Sequence, residues 1–276
     1  MKLTLGFSPC PNDTFIFEAL VHGRIDTEGI EYNWFLADVE ELNHRAMEGS
    51  VDVTKMSFHA YALAAQYYLL LDSGSALGRN NGPLVVSRHG MHPDELNDAM
   101  VAIPGKYTTA NLLFSIFWPG AVRKCEYLFS DIPQAVLSGE ADAGLIIHET
   151  RFTYQALGLK MVADTGQYWE KMTGMPVPLG GIVVHRHVDE NTALKVNRTI
   201  RRSIEYAYAD PSASVDFIRQ NAKELDSNVT KEHIRLYVNS FSLSLGKEGK
   251  DAIERLYSLA VERKVTGPLP DRIFLV

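Results

Sequence analysis

Gly49-Ser50-Val51-Asp52-Val53-Thr54-Lys55-Met56-Ser57 and Gly139-Glu140-Ala141-Asp142-Ala143-Gly144-Leu145-Ile146-Ile147-His148 are two copies of one short pattern. Each follows an amphipathic stretch, residues 39–48 and 132–138, and reads as a helix closed by Gly, an Asp in the turn and a buried strand. The copies are therefore one αβ unit used in two domains. In open α/β sheets, ligands collect beyond the carboxyl ends of strands. The groups at those ends are Lys55, Met56 and Ser57 in one copy and His148 in the other. The repeat thus predicts a single site in a cleft between two domains.

The flanking sequence extends the repeat. Strands are predicted over 3–7, 30–36 and 51–56, with helices over 14–23, 39–48 and 58–66, an order that implies a largely parallel sheet. After an apolar run at 84–86 and a polar connector, the order restarts with strands 101–103, 125–129 and 143–147 and helices 110–117 and 132–138. A second Pro-led apolar run, 179–186, matches 83–88, and each ends in Arg. Taken as crossings between domains, the two runs divide the chain into a first domain of 1–88 plus 185–276 and an inserted second domain of 89–184. Helical periodicity over 193–209, 212–222, 230–239 and 249–263 packs the tail on the first domain. The predicted class is α/β, a two-lobed fold like that of type II periplasmic binding proteins, with a central cleft, two crossings and hinge closure around ligand.

Composition narrows the function. A chain of 276 residues with 46% hydrophobic residues suffices for two ordinary cores. A net charge of −7 without any Lys/Arg block argues against nucleic acid as a partner. No apolar stretch approaches the roughly 20 residues of a membrane span, and residues 1–7 are too short an apolar run for a signal peptide, so no membrane partner and a cytoplasmic location are expected. Cys10 and Cys125 belong to no CxxC or Cys/His cluster in sequence, which argues against a disulfide framework or zinc site. Serine-hydrolase elbows and phosphate-binding glycine loops are absent. The expected partner is a small-molecule carboxylate; a homodimer is compatible with the sequence.

Ser8-Pro9-Cys10-Pro11-Asn12-Asp13-Thr14-Phe15 separates the first strand from the first helix. It reads either as a rigid turn capped by Asn12, Asp13 or Thr14, or as a cleft-facing helix start whose free N–H groups attract an anion. Pro104-Gly105-Lys106-Tyr107-Thr108-Thr109-Ala110 holds the equivalent place in the second domain, where Thr108 and Thr109 either cap the helix or bind a ligand carboxylate or hydroxyl. Lys55 reads as a salt-bridge partner or a ligand cation, and Ser57 as a cap or a ligand donor. A lone histidine is usually structural, but His148 stands where an apolar strand meets the cleft, and imidazole is a practical base near neutral pH. Glu149 and Arg151 read as a structural charge pair, with Glu149 able to orient a neighbouring imidazole. Trp34, Trp118 and Trp169 read as core or rim residues, with an aromatic over the cleft suited to a ring-containing ligand.

Several long segments resemble the 1,4-dihydroxy-6-naphthoate synthases of the futalosine route to menaquinone. They are Leu5-Gly6-Phe7-Ser8-Pro9-Cys10-Pro11-Asn12-Asp13-Thr14-Phe15-Ile16-Phe17, Gly144-Leu145-Ile146-Ile147-His148-Glu149 with Arg151-Phe152-Thr153-Tyr154, and Tyr237-Val238-Asn239 with Phe241-Ser242. The resemblance also covers Ser75-Ala76-Leu77-Gly78-Arg79 and Gly82-Pro83-Leu84-Val85-Val86, and is faintest over 88–100 and 245–276. It implies a lyase that acts on cyclic dehypoxanthinyl futalosine and releases the naphthoate and a three-carbon fragment, with no metal or organic cofactor. The family's proton-abstracting histidine falls on His148, and its substrate-binding segments on Lys55-Met56-Ser57 and Thr108-Thr109. A chorismate dehydratase of the same pathway is the rival enzyme. A non-catalytic small-anion-binding protein is the rival of a different class.

Overall fold

A computed structural model describes residues 1–222 and 226–276. The first elements are β1 (Lys2–Phe7), α1 (Pro11–Val21), β2 (Glu31–Leu36), α2 (Val39–Met47), β3 (Val53–Ser57), α3 (Phe58–Ala64), β4 (Tyr68–Leu70) and β5 (Ala76–Gly78). The order restarts with β6 (Leu84–Ser87), a 3-10 turn at Pro93–Asn97, β7 (Val101–Ile103), α4 (Thr109–Phe117), β8 (Lys124–Glu126), α5 (Ile132–Ser138) and β9 (Ala143–Ile146). Next come α6 (Thr150–Thr153), β10 (Lys160–Asp164), α7 (Thr165–Thr173) and β11 (Val177–His185). The tail is helical: α8 (Glu190–Ala209), a 3-10 turn at Pro211–Ser214, α9 (Val215–Asn221), α10 (Ser227–Tyr237), α11 (Ser240–Leu243) and α12 (Gly246–Glu262).

These strands form two sheets of one design. The first runs β2-β1-β3-β11-β4, with β5 also on β11, and the second runs β8-β7-β9-β6-β10. In each, three strands are parallel, and the strand beside the third is antiparallel and arrives from the other lobe. β3 and β9 hold equivalent places, so the duplicated sequence unit is a duplicated structural unit, α2–β3 and α5–β9. Apolar clusters cover both faces of each sheet; α8 and α9 pack on one side of the first sheet and α12 on the other.

The two apolar runs read as crossings are themselves central strands. β6 is buried along its whole length and pairs Leu84 to Ser87 with Ile146 to Ala143 in the second sheet; β11 pairs Gly180 to Val184 with Ser57 to Val53 in the first. The borders expected at 88/89 and 184/185 therefore leave β6 and β11 on the wrong sides. A buried strand must pair its N–H and C=O groups in a ladder, so it cannot serve as a bare connector. The chain passes between sheets at 79–83 and 165–176. There Gly82 and Gly166 pack backbone to backbone: a Cβ on Gly82 would stand 2.3 Å from the Gly166 nitrogen. Thr165 donates to the Pro83 carbonyl through both its N–H (3.0 Å) and its hydroxyl (2.8 Å).

The first helix starts earlier than its polar residues suggest. Pro11 opens α1, because the first helical N–H has no intrahelical partner to lose, and Cys10 is the N-cap residue without a side-chain cap bond. Asn12, Asp13 and Thr14, read as candidate caps, lie buried inside the first turn.

Because the crossings touch through two glycines, Gly82→Ala must push backbone against backbone. We expect it to cost about 1–3 kcal/mol, the range for overpacking, read as a lower urea midpoint. Parent-like stability would show that the crossings separate freely.

Candidate active site

The carboxyl ends of β3 and β9 face each other across a cavity of about 690 Å³, its mouth included. Its lining holds all six residues singled out in the sequence, Lys55, Met56, Ser57, Thr108, Thr109 and His148, together with Ser8, Asn12, Asp13 and Tyr237.

On the β3 side the polar groups are largely committed to one another. Lys55 and Asp13 are both buried, with Lys55 Nζ 3.0 Å from Asp13 Oδ1. Asp13 Oδ1 also accepts from Asn12 Nδ2 at 2.8 Å, while Oδ2 accepts from the Ser8 hydroxyl at 2.7 Å and the Ser8 N–H at 3.2 Å. The pair neutralises the ammonium and fixes the turn before α1, using one of the three Lys55 donors. Met56 joins the first lobe's core. Ser57 begins α3 without a side-chain cap bond; Asn43 holds it instead, accepting from the Ser57 N–H at 2.9 Å and donating to its oxygen at 3.2 Å. The Ser57 O–H has no acceptor among the described residues, which leaves a donor for the cavity.

The two threonines divide their work. Thr108 caps its own helix, accepting from the Asn111 N–H at 3.3 Å and donating to the Gly105 carbonyl at 2.8 Å. Thr109 caps a helix of the other lobe: its hydroxyl accepts from the Phe58 N–H at 2.9 Å and donates to the Leu179 carbonyl. Glu40 reinforces this clasp by accepting from the Tyr107 N–H at 2.9 Å, and burial pushes its carboxyl above the usual range. The N–H groups of Thr109 and Ala110, in the first turn of α4, have no acceptor among the described residues and stand at the cavity wall.

His148 follows β9 in a left-handed turn with φ of 54°. Histidine tolerates this region better than most residues, yet a non-glycine held there still stores of order 1–3 kcal/mol. The turn sets its ring edge-on to Phe129, 4.9 Å away, and stacked on His233 of α10 with centroids 6.2 Å apart and an interplanar angle of 16°. His233 is fully buried, and its Nε2 lies 2.8 Å from Asn12 Oδ1. Since the Asn12 amide donates to Asp13, Nε2 of His233 must carry the proton, leaving Nδ1 without a partner among the described residues. Burial, then the nearby His148 and Lys55 charges, hold this imidazole well below its ordinary pKa, so it stays neutral. Tyr237 packs on His233 at 4.6 Å, and burial raises its hydroxyl pKa.

The expected Glu149–Arg151 pair does not form. Arg151 binds Asp164 at 2.8 Å and the Gly82 carbonyl, tying the His148 loop to the crossings; Asp164 Oδ1 in turn caps α7. The Glu149 carboxylate has no hydrogen bond or ion pair among the described residues although the residue is 6% exposed. It lies with the Cys10 sulfur and a His148 ring nitrogen, all three within 4.8 Å of one another. None of the tryptophans lines the cavity; the aromatic there is Tyr237. Cys10, His233 and Tyr237 are the site's additions; Asn12, Asp13 and Glu149, weighed in the sequence as caps or as an orienting carboxylate, join it.

Two α/β lobes with facing strand ends and paired crossings define a periplasmic-binding-protein-like fold. An alkanesulfonate-binding protein of Xanthomonas axonopodis pv. citri, solved with MOPS, superposes with a TM-score of 0.73 at 14% identity, covering 99% of this chain and 96% of that one. A protein of Archaeoglobus fulgidus is nearer, with a TM-score of 0.91 at 33% identity over 96% and 98% of the two chains. A family model described as menaquinone biosynthesis matches residues 3–262, and the chain belongs to that family. It is 45% identical over 273 residues to the 1,4-dihydroxy-6-naphthoate synthase of Thermus thermophilus, covering 99% of each chain. It is 39% identical over 278 residues to that of Streptomyces coelicolor, covering 98% and 97%.

Truncating Lys55 to Ala would strand Asp13 as a buried, uncompensated carboxylate. We expect a loss of about 3–5 kcal/mol in chemical denaturation. A loss below about 1 kcal/mol, the worth of an exposed pair, would show that the pair is solvated.

Proposed function

We propose that this chain is a carbon–carbon lyase that converts cyclic dehypoxanthinyl futalosine to 1,4-dihydroxy-6-naphthoate, with His148 as general base. The observation that carries the reading is His148 itself, held in a left-handed turn at the β9 end and presented to a cavity whose opposite walls offer unpaired donors. The similarity to naphthoate synthases over nearly the whole chain supports the same substrate.

In this reading the substrate carboxylate sits against the first turn of α4, where the Thr109 and Ala110 N–H groups and the helix dipole favour an anion. The Ser57 O–H supplies a donor from the opposite lobe. His148 removes an acidic proton, and the same donors stabilise the enolate that develops. Aromatisation of the new ring pulls the fragmentation forward. Met56, Pro83, Ile147 and Leu179 line the space and keep it apolar, and the Thr109 clasp closes the lobes over it, so water is kept from the intermediate. A cytoplasmic setting belongs to the same proposal. Among the described residues no helix is long and apolar enough to cross a membrane.

The decisive assay incubates the purified protein with the cyclic futalosine derivative and follows naphthoate. If His148 is the base, His148→Asn lowers kcat by roughly 10² to 10⁴ while substrate affinity changes much less, because a proton transfer matters mainly in the transition state. Equal turnover by a folded His148→Asn protein would remove the residue from the mechanism. Tight binding without any parent turnover would favour an anion-binding protein, and turnover of chorismate instead would favour the dehydratase.

A further inference from the structure

We propose that Cys10, His148 and Glu149 form a site for zinc or a related divalent transition metal, and that filling it switches the cleft off by occupying the imidazole. The switching half rests on His148 being the base; the binding half does not.

The sequence hides this cluster, because Cys10 lies 138 positions before His148 and belongs to no Cys/His motif. The fold brings the turn before α1 against the turn after β9. One sulfur, one ring nitrogen and one carboxylate oxygen then fall within 4.8 Å of one another. Cys10 and Glu149 are 5% and 6% exposed. Among the described residues no hydrogen bond or cation holds the Glu149 carboxylate, which borders the groove beside Phe129 and Pro133 and so is free to turn onto a metal. Arg151, the cation nearest in sequence, is taken up by Asp164 and the Gly82 carbonyl. Lys55, the other cation at the cavity, is held by Asp13. A bound dication would therefore meet a carboxylate that no protein cation competes for.

The donor set selects the metal. Thiolate, imidazole and carboxylate together suit zinc, at about 2.3, 2.0–2.1 and 2.0–2.2 Å, and the sulfur disfavours magnesium and calcium. Ligands around a tetrahedral zinc stand roughly 3.5 Å apart, so the cluster must contract by on the order of 1 Å, which side-chain rotation can supply. Burial keeps the Cys10 thiol protonated, and binding releases that proton to solvent. The fourth position is left to water or to a ligand in the cleft. A nitrogen lone pair bound to metal is no longer available to take a proton from substrate.

Cobalt(II) titrated into chelator-treated protein should give a thiolate-to-cobalt charge-transfer band that zinc abolishes. Cys10→Ser should remove the band. Glu149→Gln should weaken cobalt binding by at least about tenfold, the cost of losing even an outer partner of a metal site. Zinc should inhibit the parent with about one equivalent bound. In Cys10→Ser, inhibition measured against that variant's own zinc-free rate should need at least about tenfold more zinc; should Cys10→Ser not fold, Glu149→Gln serves this arm. Cobalt bound without the sulfur band, unchanged in Cys10→Ser and lost in His187→Asn, would overturn the proposal by placing metal on the His185, His187 and Asp52 group, where His187 is exposed. Metal bound through Cys10 with turnover untouched would overturn the switch. Full turnover by His148→Asn would instead sink the base assignment, leaving the cobalt spectrum to decide the site.

Discussion

The buried ion pair between Lys55 and Asp13 is the contact on which the candidate site depends. Lys55 ends β3, and Asp13 sits in the first turn of α1, so their 3.0 Å contact fixes where the first helix starts. From there a run of polar contacts leads to His233, whose ring stacks toward the other lobe. Asp13 orients the Asn12 amide, Asn12 holds Nε2 of His233 at 2.8 Å, and His233 presents its ring face to His148. Each member decides the state of the next. Because Asn12 donates to Asp13, it can only accept from His233, and His233 is left as a neutral ring behind the candidate base. A neutral backing adds no repulsion when His148 takes a proton. The ammonium in this network therefore serves as scaffold, and Asp13 takes one of its three donors.

The two-fold repetition of the sheet order explains how one cleft receives groups from both lobes. Each sheet takes its antiparallel strand from the other side of the crossings, so β11 and β6 are at once core strands and the continuation of the hinge. Any movement of the lobes would have to be absorbed by the short segments between, where Gly82 and Gly166 touch. Arg151 links this contact to the loop that carries His148, through Asp164 and the Gly82 carbonyl. At the far end of the cleft, Thr109 bonds Phe58 and Leu179 across the lobes.

Much of this was legible in the sequence, for a definite reason. Helix and strand periodicity is local, so α2–β3 and α5–β9 stand out as a repeat, and a strand-end rule then points to Lys55, Ser57 and His148. The lobe borders were misread because an apolar run looks the same whether it crosses between sheets or pairs within one. β4, β5, β10 and α7 escaped notice, being short elements whose existence depends on β11, β6 and the crossings. His233 was invisible as a site residue. It lies on an ordinary amphipathic helix, and its contact with Asn12 spans 221 positions. A separation of 138 positions likewise hides Cys10 from His148. Glu149 was read as the partner of Arg151 because they are near in sequence; the fold gave Arg151 a better-placed carboxylate in Asp164. Thr109 was read as a cap and is one, but for a helix in the opposite lobe.

The fold itself is neutral between holding a small anion and transforming one, since function resides in groups grafted on a scaffold. Helix starts facing a closing cleft are what any anion binder of this shape requires. A binder has no need of an imidazole in a left-handed turn, nor of a second, neutral imidazole buried behind it at the cost of an unpaired nitrogen. Both features work against stability, and structure retains such strain where surrounding contacts over-determine it. Here the contacts that do so are the Asn12 bond, the Tyr237 ring and the Phe129 edge, all of which position His148 directly or through His233. The direction of that expenditure, toward one atom group at one strand end, is the physical argument for chemistry at His148 over simple retention of ligand.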